Sequence, residues 1–435
     1  TQALEGDEKV PEAEEGFEFS LPEIESTALI YLGLALLAVV LMRTVFSFDS
    51  VFHYGAIVLS ANDPYYYRYW VEQLLANPEV TLSSIPSGIA KGEPLYVGTI
   101  WAITLLLGGS KAAAGWVLAW YPVISALLTG ILLYFLTLEV TEDRRVALAA
   151  VVLLAILPGH AFRTSLGFAD HHAFDYPWVA VTALSLLYLT LSDFPTRKSI
   201  LGALGLGIGV GGQTLAWEAG PLLTIPVGLV VLVSSLLWLR QDKSPIRYGS
   251  PMVAGLALGA AITWIGHSSF GWHTTVVAIS PLLLLVGSIL ALGIAEGFYR
   301  ADLGIRYAMA GELGAGIIGI IGLAVLLPEF WSTATSRVSR TLLRTDNIAE
   351  TQGLLGDSVA WLLLFGFILL LAIPYLGWAT YRLRETHKWT VPVVYGWAFF
   401  ALSIIQIRFV GQFSIFVALF GGLGFVHLAE RVDAA

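Results

Sequence analysis

The chain has 435 residues, 57% of them hydrophobic and only 13% charged, with a mean hydropathy of +0.76. Ordinary soluble domains carry about 45–50% apolar and about 25% charged residues, so lipid must be the solvent for much of this chain. A net charge of −9 leaves no basic face for nucleic acid, and the absence of cysteine excludes disulfides, thiolate zinc sites and cysteine nucleophiles.

Residues 1–25 are acidic and polar, and read as a cytoplasmic tail without a secretory signal. A bilayer-crossing helix needs roughly 20 apolar residues, and about twelve segments meet that requirement within a few residues. They are 26–46, 114–138, 146–161, 173–192, 199–215, 220–239, 250–265, 273–295, 307–327, 359–380, 389–406 and 409–428. The apolar run 96–108 is too short to span, and reads as a re-entrant or interfacial piece. The expected fold class is therefore an all-α polytopic membrane protein. Arg144 and Arg145, Arg197 and Lys198, Arg240 and Lys243, Arg300 and Arg306, and Arg382 and Lys388 then fall in loops on one side. An excess of Lys and Arg marks the cytoplasmic side. The outer side holds loops 47–113, 162–172 and 328–358, all within one membrane domain over 26–435. The run Gly202–Gly212 superficially resembles a dinucleotide fingerprint, but it lies inside a span and follows no strand, so close helix packing is the better reading. No internal repeat is visible, which argues against a transporter built from inverted halves.

Charged groups close to a membrane are costly, and four polar clusters need a reason to be there. The first is Asn62-Asp63-Pro64-Tyr65-Tyr66-Tyr67-Arg68. Alone it reads equally as a helix capped by Asp63 with interfacial tyrosines. The second is Arg163 to His172, where Asp170 and His172 point the same way if the segment is extended. A carboxylate with an imidazole is a partial ligand set for Mn²⁺ or Mg²⁺, the imidazole favouring Mn²⁺. A polar loop with a satisfied histidine is the bland alternative. The third, Thr345 to Thr351 with Glu350, reads alone as a solvated loop. The fourth, Arg408-Phe409 between two apolar spans, is a snorkelling anchor or an anion ligand, and Arg163 poses the same choice. Taken together, carboxylates and histidine suit a divalent cation and arginines suit phosphate oxygens, all at one membrane face.

In that arrangement the chain resembles the archaeal oligosaccharyltransferase catalytic subunits. Asn62-Asp63-Pro64-Tyr65 resembles the family's first acidic motif, and Arg163 to His172 the second, in its Asp-x-His form. Asn347-Ile348-Ala349-Glu350 is similar to the Thr-Ile-x-Glu or Ser-Val-Ser-Glu motif of the last large outer loop, with position 347 departing from both. Arg408-Phe409 resembles the conserved arginine of a late span. The family has thirteen spans in a GT-C-type architecture. It also has a C-terminal soluble domain whose Trp-Trp-Asp-Tyr-Gly-type motif reads the acceptor. About twelve spans and no Trp-Trp pair here lead to the expectation that this chain lacks that last span and domain.

The resemblance implies transfer of an oligosaccharide from a dolichol phosphate or pyrophosphate to the Asn side chain of Asn-x-Ser/Thr. The reaction would run at the outer face of the cell membrane in a single-subunit enzyme. It implies a metal, Mn²⁺ or Mg²⁺, on Asp63, Asp170 and His172. Asp63 and Glu350 would hold the acceptor amide, Arg163 would support the catalytic group, and Arg408 with His171 would take the lipid phosphate. Two other readings compete. A polyprenyl-phosphate-sugar transferase with hydroxyl or lipid acceptors does not account for the Asn-Ile-Ala-Glu segment. A secondary transporter predicts ionisable residues at mid-span rather than acids in outer loops.

Overall fold

The computed structural model describes residues 26–343, 349–356 and 359–433. The acidic segment 1–25 and the motif positions Thr345 to Ile348 lie outside these. Among the described residues the protein is almost wholly helical, with one two-stranded ribbon, Phe52–His53 paired with Ala56–Ile57. It is a multi-pass membrane protein.

Ten helices are long and apolar enough to cross a bilayer, or eleven when one bent pair is counted. We label those used below α1 (Ser26–Thr44), α2 (Asn62–Ala76), α3 (Pro94–Leu106), α4 (Lys111–Thr141), α5 (Arg144–Ile156), α6 (Pro158–Ala161), α7 (His171–Leu191), α8 (Arg197–Ala216), α9 (Gly220–Arg240), α10 (Pro245–Phe270), α11 (Thr275–Arg300), α12 (Ile305–Leu326), α13 (Pro328–Val338), α14 (Ala360–Phe365), α15 (Ile368–Arg382), α16 (Thr390–Ile405) and α17 (Val410–Asp433).

Two of the twelve expected spans are not single straight helices. The stretch 146–161 bends at Pro158, where α5 meets the following short helices at 64°. Proline has no N–H to continue the ladder, and its ring crowds the preceding turn. The stretch 359–380 is divided into α14 and α15 at Gly366, whose φ of 60° closes no α-helix. The run 96–108 forms α3, a short apolar helix, in keeping with its expected failure to span.

Small residues allow the tightest contacts. At Gly207 an added Cβ would lie 2.7 Å from the carbonyl oxygen of Gly255, so only glycine lets α8 and α10 touch backbone to backbone. That is the packing role expected of the Gly202–Gly212 run. The largest buried cluster is built on α7, α8, α9, α16 and α17, with Phe409 just before α17 and Phe413, Phe416 and Phe420 along it. These helices fix the end of the bundle where α7 begins and α16 turns into α17. All the candidate site residues among the described ones come to that end.

Candidate active site

The second acidic motif is held by three independent ties. Leu166 N–H donates to the Arg43 carbonyl at 2.9 Å, Gly167 N–H to the Ala119 carbonyl at 2.9 Å, and Gly167 accepts from Ser60 N–H at 3.0 Å. Gly167 has φ of 81°, and a Cβ there would meet the Val51 side chain at 2.6 Å, so glycine is required. The chain leaves this turn extended at Asp170 and enters α7 at His171. Asp170, His171 and His172 thus converge although only the first is extended. The expected alternation of Asp170 and His172 along a strand does not occur, and the helix start gathers all three instead.

Arg163 lies between two acids from distant parts of the chain. Its Nη1 donates to Asp170 Oδ2 at 2.9 Å and its Nη2 to Glu350 Oε2 at 2.9 Å. Arg408 donates to the other oxygen of Glu350 at 3.1 Å, and His172 Nε2 stands 3.7 Å from Oε2. Asp170 Oδ1 faces His171 Nδ1 at 2.8 Å, and the Tyr67 hydroxyl reaches the same nitrogen at 3.0 Å. The His171 ring packs on Trp217 with centroids 5.0 Å apart. Asp170 and His172 are each only 2% exposed.

Burial opposes ionisation of Asp170, but His171, His172 and then Arg163 outweigh it and hold the carboxyl well below the usual carboxylate range. Glu350 is likewise held low, by His172 first and then by Arg163 against its partial burial. Asp63 moves the other way. Its burial, followed by the charges of Asp170 and Glu350, pushes its carboxyl up.

Several expectations change in detail. Asp63 does not cap its helix: the N-cap of α2 is Ala61, and Asp63 sits in the first turn. The group whose ligand atoms lie within 4.8 Å of one another is Asp170, His171 and His172. His171, expected on the phosphate, stands in that group, while Asp63 stands outside it. Adjacency along one chain segment brings the three together, whereas Asp63 comes from a separate helix and is repelled by the same acids. The donor set fits a divalent cation: one carboxylate and two imidazoles, with His171 Nε2 and His172 Nδ1 buried and without hydrogen-bond partners.

The family described as "Oligosaccharyl transferase STT3, N-terminal" matches residues 29–292, more than half of the chain. The chain belongs to the STT3 family. It is 27% identical over 350 residues to dolichyl-phosphooligosaccharide-protein glycotransferase 3 of Archaeoglobus fulgidus, covering 75% of this chain and 39% of that protein. It is 23% identical to the dolichyl-monophosphooligosaccharide–protein glycotransferase AglB of Haloferax volcanii, covering 72% of this chain and 33% of the relative. The chain thus spans less than half the length of the curated relatives it matches. In fold it is similar to the archaeal oligosaccharyltransferase AglB from Archaeoglobus fulgidus in complex with an inhibitory peptide and a dolichol-phosphate. That likeness has a TM-score of 0.78 at 21% identity, over 94% of this chain and 51% of that one. A structure of the Archaeoglobus fulgidus oligosaccharyltransferase tethered with an acceptor peptide containing the NVT sequon gives 0.73 at 21% identity, over 94% of this chain and 50% of that one.

Within this STT3 site the structure adds residues that sequence reading did not single out. Arg43 is 1% exposed, and the described residues bring no carboxylate to it. Its guanidinium donates to the Leu154 carbonyl at 3.1 Å, the Ala155 carbonyl at 2.6 Å and Thr164 Oγ1 at 2.7 Å. Pro158 cannot donate to Leu154, so the kink strips acceptors that Arg43 then satisfies. Arg43 also lies 3.1 Å from His160 Nδ1, which must accept from the guanidinium. One residue before Thr164 comes Arg163, so the kink and its guanidinium plug set where the Asp170–Glu350 bridge stands. The available signal was Pro158 inside an apolar span. Trp217 was also missed, and Tyr67 was read only as an interfacial tyrosine of its cluster, because an aromatic near a membrane surface is ordinary.

Proposed function

We propose that this chain carries the catalytic centre for transferring an oligosaccharide from a dolichol phosphate or pyrophosphate to the amide nitrogen of Asn in Asn-x-Ser/Thr, at the extracellular face of the cell membrane. The observation that carries the reading is Glu350, gripped on one oxygen by Arg163 and on the other by Arg408, with Arg163 also on Asp170. One bridge thereby couples a candidate acceptor carboxylate, a candidate phosphate cation and a candidate metal ligand.

An amide nitrogen is a poor nucleophile because its lone pair is shared with the carbonyl. A carboxylate offers about four lone-pair positions, so Glu350 keeps room for an acceptor N–H while holding both arginines. Asp63, from the facing helix α2, takes the second N–H. Gripping both hydrogens turns the amide out of conjugation and frees the lone pair for attack on the anomeric carbon. The N–C bond forms as the C–O bond to phosphate breaks, with inversion. The amide proton passes to a carboxylate, and the leaving phosphate keeps the bonding electrons. Arg408 stabilises that phosphate. Asp170 and His172, with His171 beside them and Asp63 approaching from α2, would hold Mn²⁺ or Mg²⁺, which when bound would draw negative charge from the departing oxygen.

The test is transfer from a lipid-linked oligosaccharide to a labelled Asn-x-Thr peptide by the purified protein. Transfer lost in Asp63→Ala and Asp170→Ala, with membrane insertion intact, supports the reading. Near-normal turnover in either variant sinks the assignment. Transfer to a hydroxyl acceptor alone would point to the related polyprenyl-phosphate-sugar transferases.

A further inference from the structure

Asp175 is the only acid within α7, and no step above uses it. Its side chain is fully buried, and both carboxylate oxygens lack a hydrogen-bond partner. A carboxylate without a partner in a dry interior is costly, so it calls for a compensating role.

Asp175 stands four residues after His171, one turn along the same face of α7. Helical side chains lean towards the N-terminus, which carries Asp175 towards the His171 ring. Of the charges around Asp175, that of His171 bears on it most strongly. The turn between them is tied to α4. Pro177 has no N–H for the Ala173 carbonyl, which accepts from the Ser125 hydroxyl instead, and the Tyr121 hydroxyl donates to the Asp170 carbonyl.

His171 has a matching lack. Its Nδ1 faces Asp170 Oδ1 at 2.8 Å and the Tyr67 hydroxyl at 3.0 Å, whereas its Nε2 is buried without a partner. A neutral imidazole has a single N–H. A ring that offers its Nδ1 lone pair to a cation beside Asp170 carries its proton on Nε2, and that buried N–H needs an acceptor. Histidines on a metal commonly give their second N–H to a carboxylate. Glu93, at the start of α3, also bears on the ring, but it is only partly buried and solvent can serve it. Asp175 has no such outlet.

We infer that Asp175 is a positioning residue, which accepts the Nε2–H of His171 and so holds the tautomer whose Nδ1 is free for the cation. It touches neither cation nor substrate. The inference rests on the cation reading above and adds a carboxylate that reading does not contain.

The experiment titrates the purified protein with Mn²⁺, without donor or acceptor, and follows free Mn²⁺ by electron paramagnetic resonance. Asp175→Ala is expected to weaken Mn²⁺ binding by about 10- to 100-fold, the scale of losing an outer carboxylate. Asp175→Asn keeps an uncharged acceptor oxygen, so a loss of about 3- to 10-fold is expected, with the melting temperature of the metal-free protein not lowered. In a His171→Ala background, Asp175→Ala should cost less than about twofold more, because its effect passes through the ring. Glu93→Gln should leave Mn²⁺ affinity within about twofold of wild type. Wild-type affinity in folded Asp175→Ala overturns the inference, and so does an equal loss with and without His171. If Asp175→Ala does not fold, wild-type affinity in Asp175→Asn overturns it. A loss in Glu93→Gln that exceeds the loss in Asp175→Asn hands the role to Glu93 and overturns it too. In each of these cases Mn²⁺ binding by wild type that is lost in Asp170→Ala leaves the cation reading standing. Folded wild type that binds no Mn²⁺ overturns both.

Discussion

Replacing Glu350 by Gln keeps the shape of the side chain and removes its charge. The carboxylate accepts from Arg163 at 2.9 Å and from Arg408 at 3.1 Å, with 31% of the side chain exposed. A hydrogen bond to a charged group contributes about 1.5–3 kcal/mol, and roughly half of that survives when one partner becomes neutral. Gln offers one oxygen, so one guanidinium keeps a weakened bond and the other faces an NH₂ donor. The sum is a loss of about 3–4 kcal/mol, reduced to about 2–3 kcal/mol by solvent screening. Felt in the transition state, this lowers kcat/KM by about 30- to 150-fold. Glycan transfer to an Asn-x-Thr peptide, with donor and acceptor varied separately, measures it. Because Arg408 shares the bridge, Glu350→Gln/Arg408→Ala should cost far less than the two single effects combined. A single variant within threefold of wild type, or strict additivity in the double, would refute the bridge as the organising element.

Other consequences can be checked separately. Arg43→Gln leaves the Leu154 and Ala155 carbonyls short of donors in a dry interior, at about 1–3 kcal/mol each. A fall in kcat with acceptor KM unchanged is expected, together with a lower melting temperature; wild-type kcat would show that the kink does not position Arg163. His273 lies between α10 and α11 with its Nε2 3.2 Å from the Leu215 carbonyl, and burial lowers its pKa to about 4. A histidine held neutral stabilises the fold above its ordinary pKa, and that contribution is lost as pH falls from about 6.5 towards 4, to about 2 kcal/mol at pH 5. The melting temperature of His273→Asn should therefore depend less on pH in this window than that of wild type, and parallel curves would count against it. Gly207→Val drives a side chain into the α10 backbone and should destabilise by about 1–3 kcal/mol, seen as a lower yield of folded protein in detergent.

Hydropathy made the bundle legible, because an apolar run of spanning length has few alternatives. It could not show that 146–161 and 359–380 are broken, since an averaging window sees Pro158 and Gly366 as two residues among many. Arg163 to His172 was legible as chemistry because so many ionisable groups stand between two spans. What joins them was not: Arg163 bonds Glu350 across 187 positions of sequence, and no local pattern encodes that contact. Arg43 was hidden for a related reason. At the end of a span a basic residue resembles a lipid-facing anchor, and only the acceptors exposed by a distant proline reveal its place inside. Asp63 was legible as a candidate site acid, but its helix position was not, because Pro64 is as comfortable in a first turn as just beyond a cap.

The most direct test of the central claim is glycan transfer from a lipid-linked donor to a labelled Asn-x-Thr peptide, with Mn²⁺ and then with a chelator, in wild type and Asp170→Ala. The account predicts transfer that needs the cation and vanishes in the variant while the protein stays folded. Folded, Mn²⁺-loaded wild type that transfers nothing from any polyprenyl donor, or an Asp170→Ala protein that transfers normally, would contradict it.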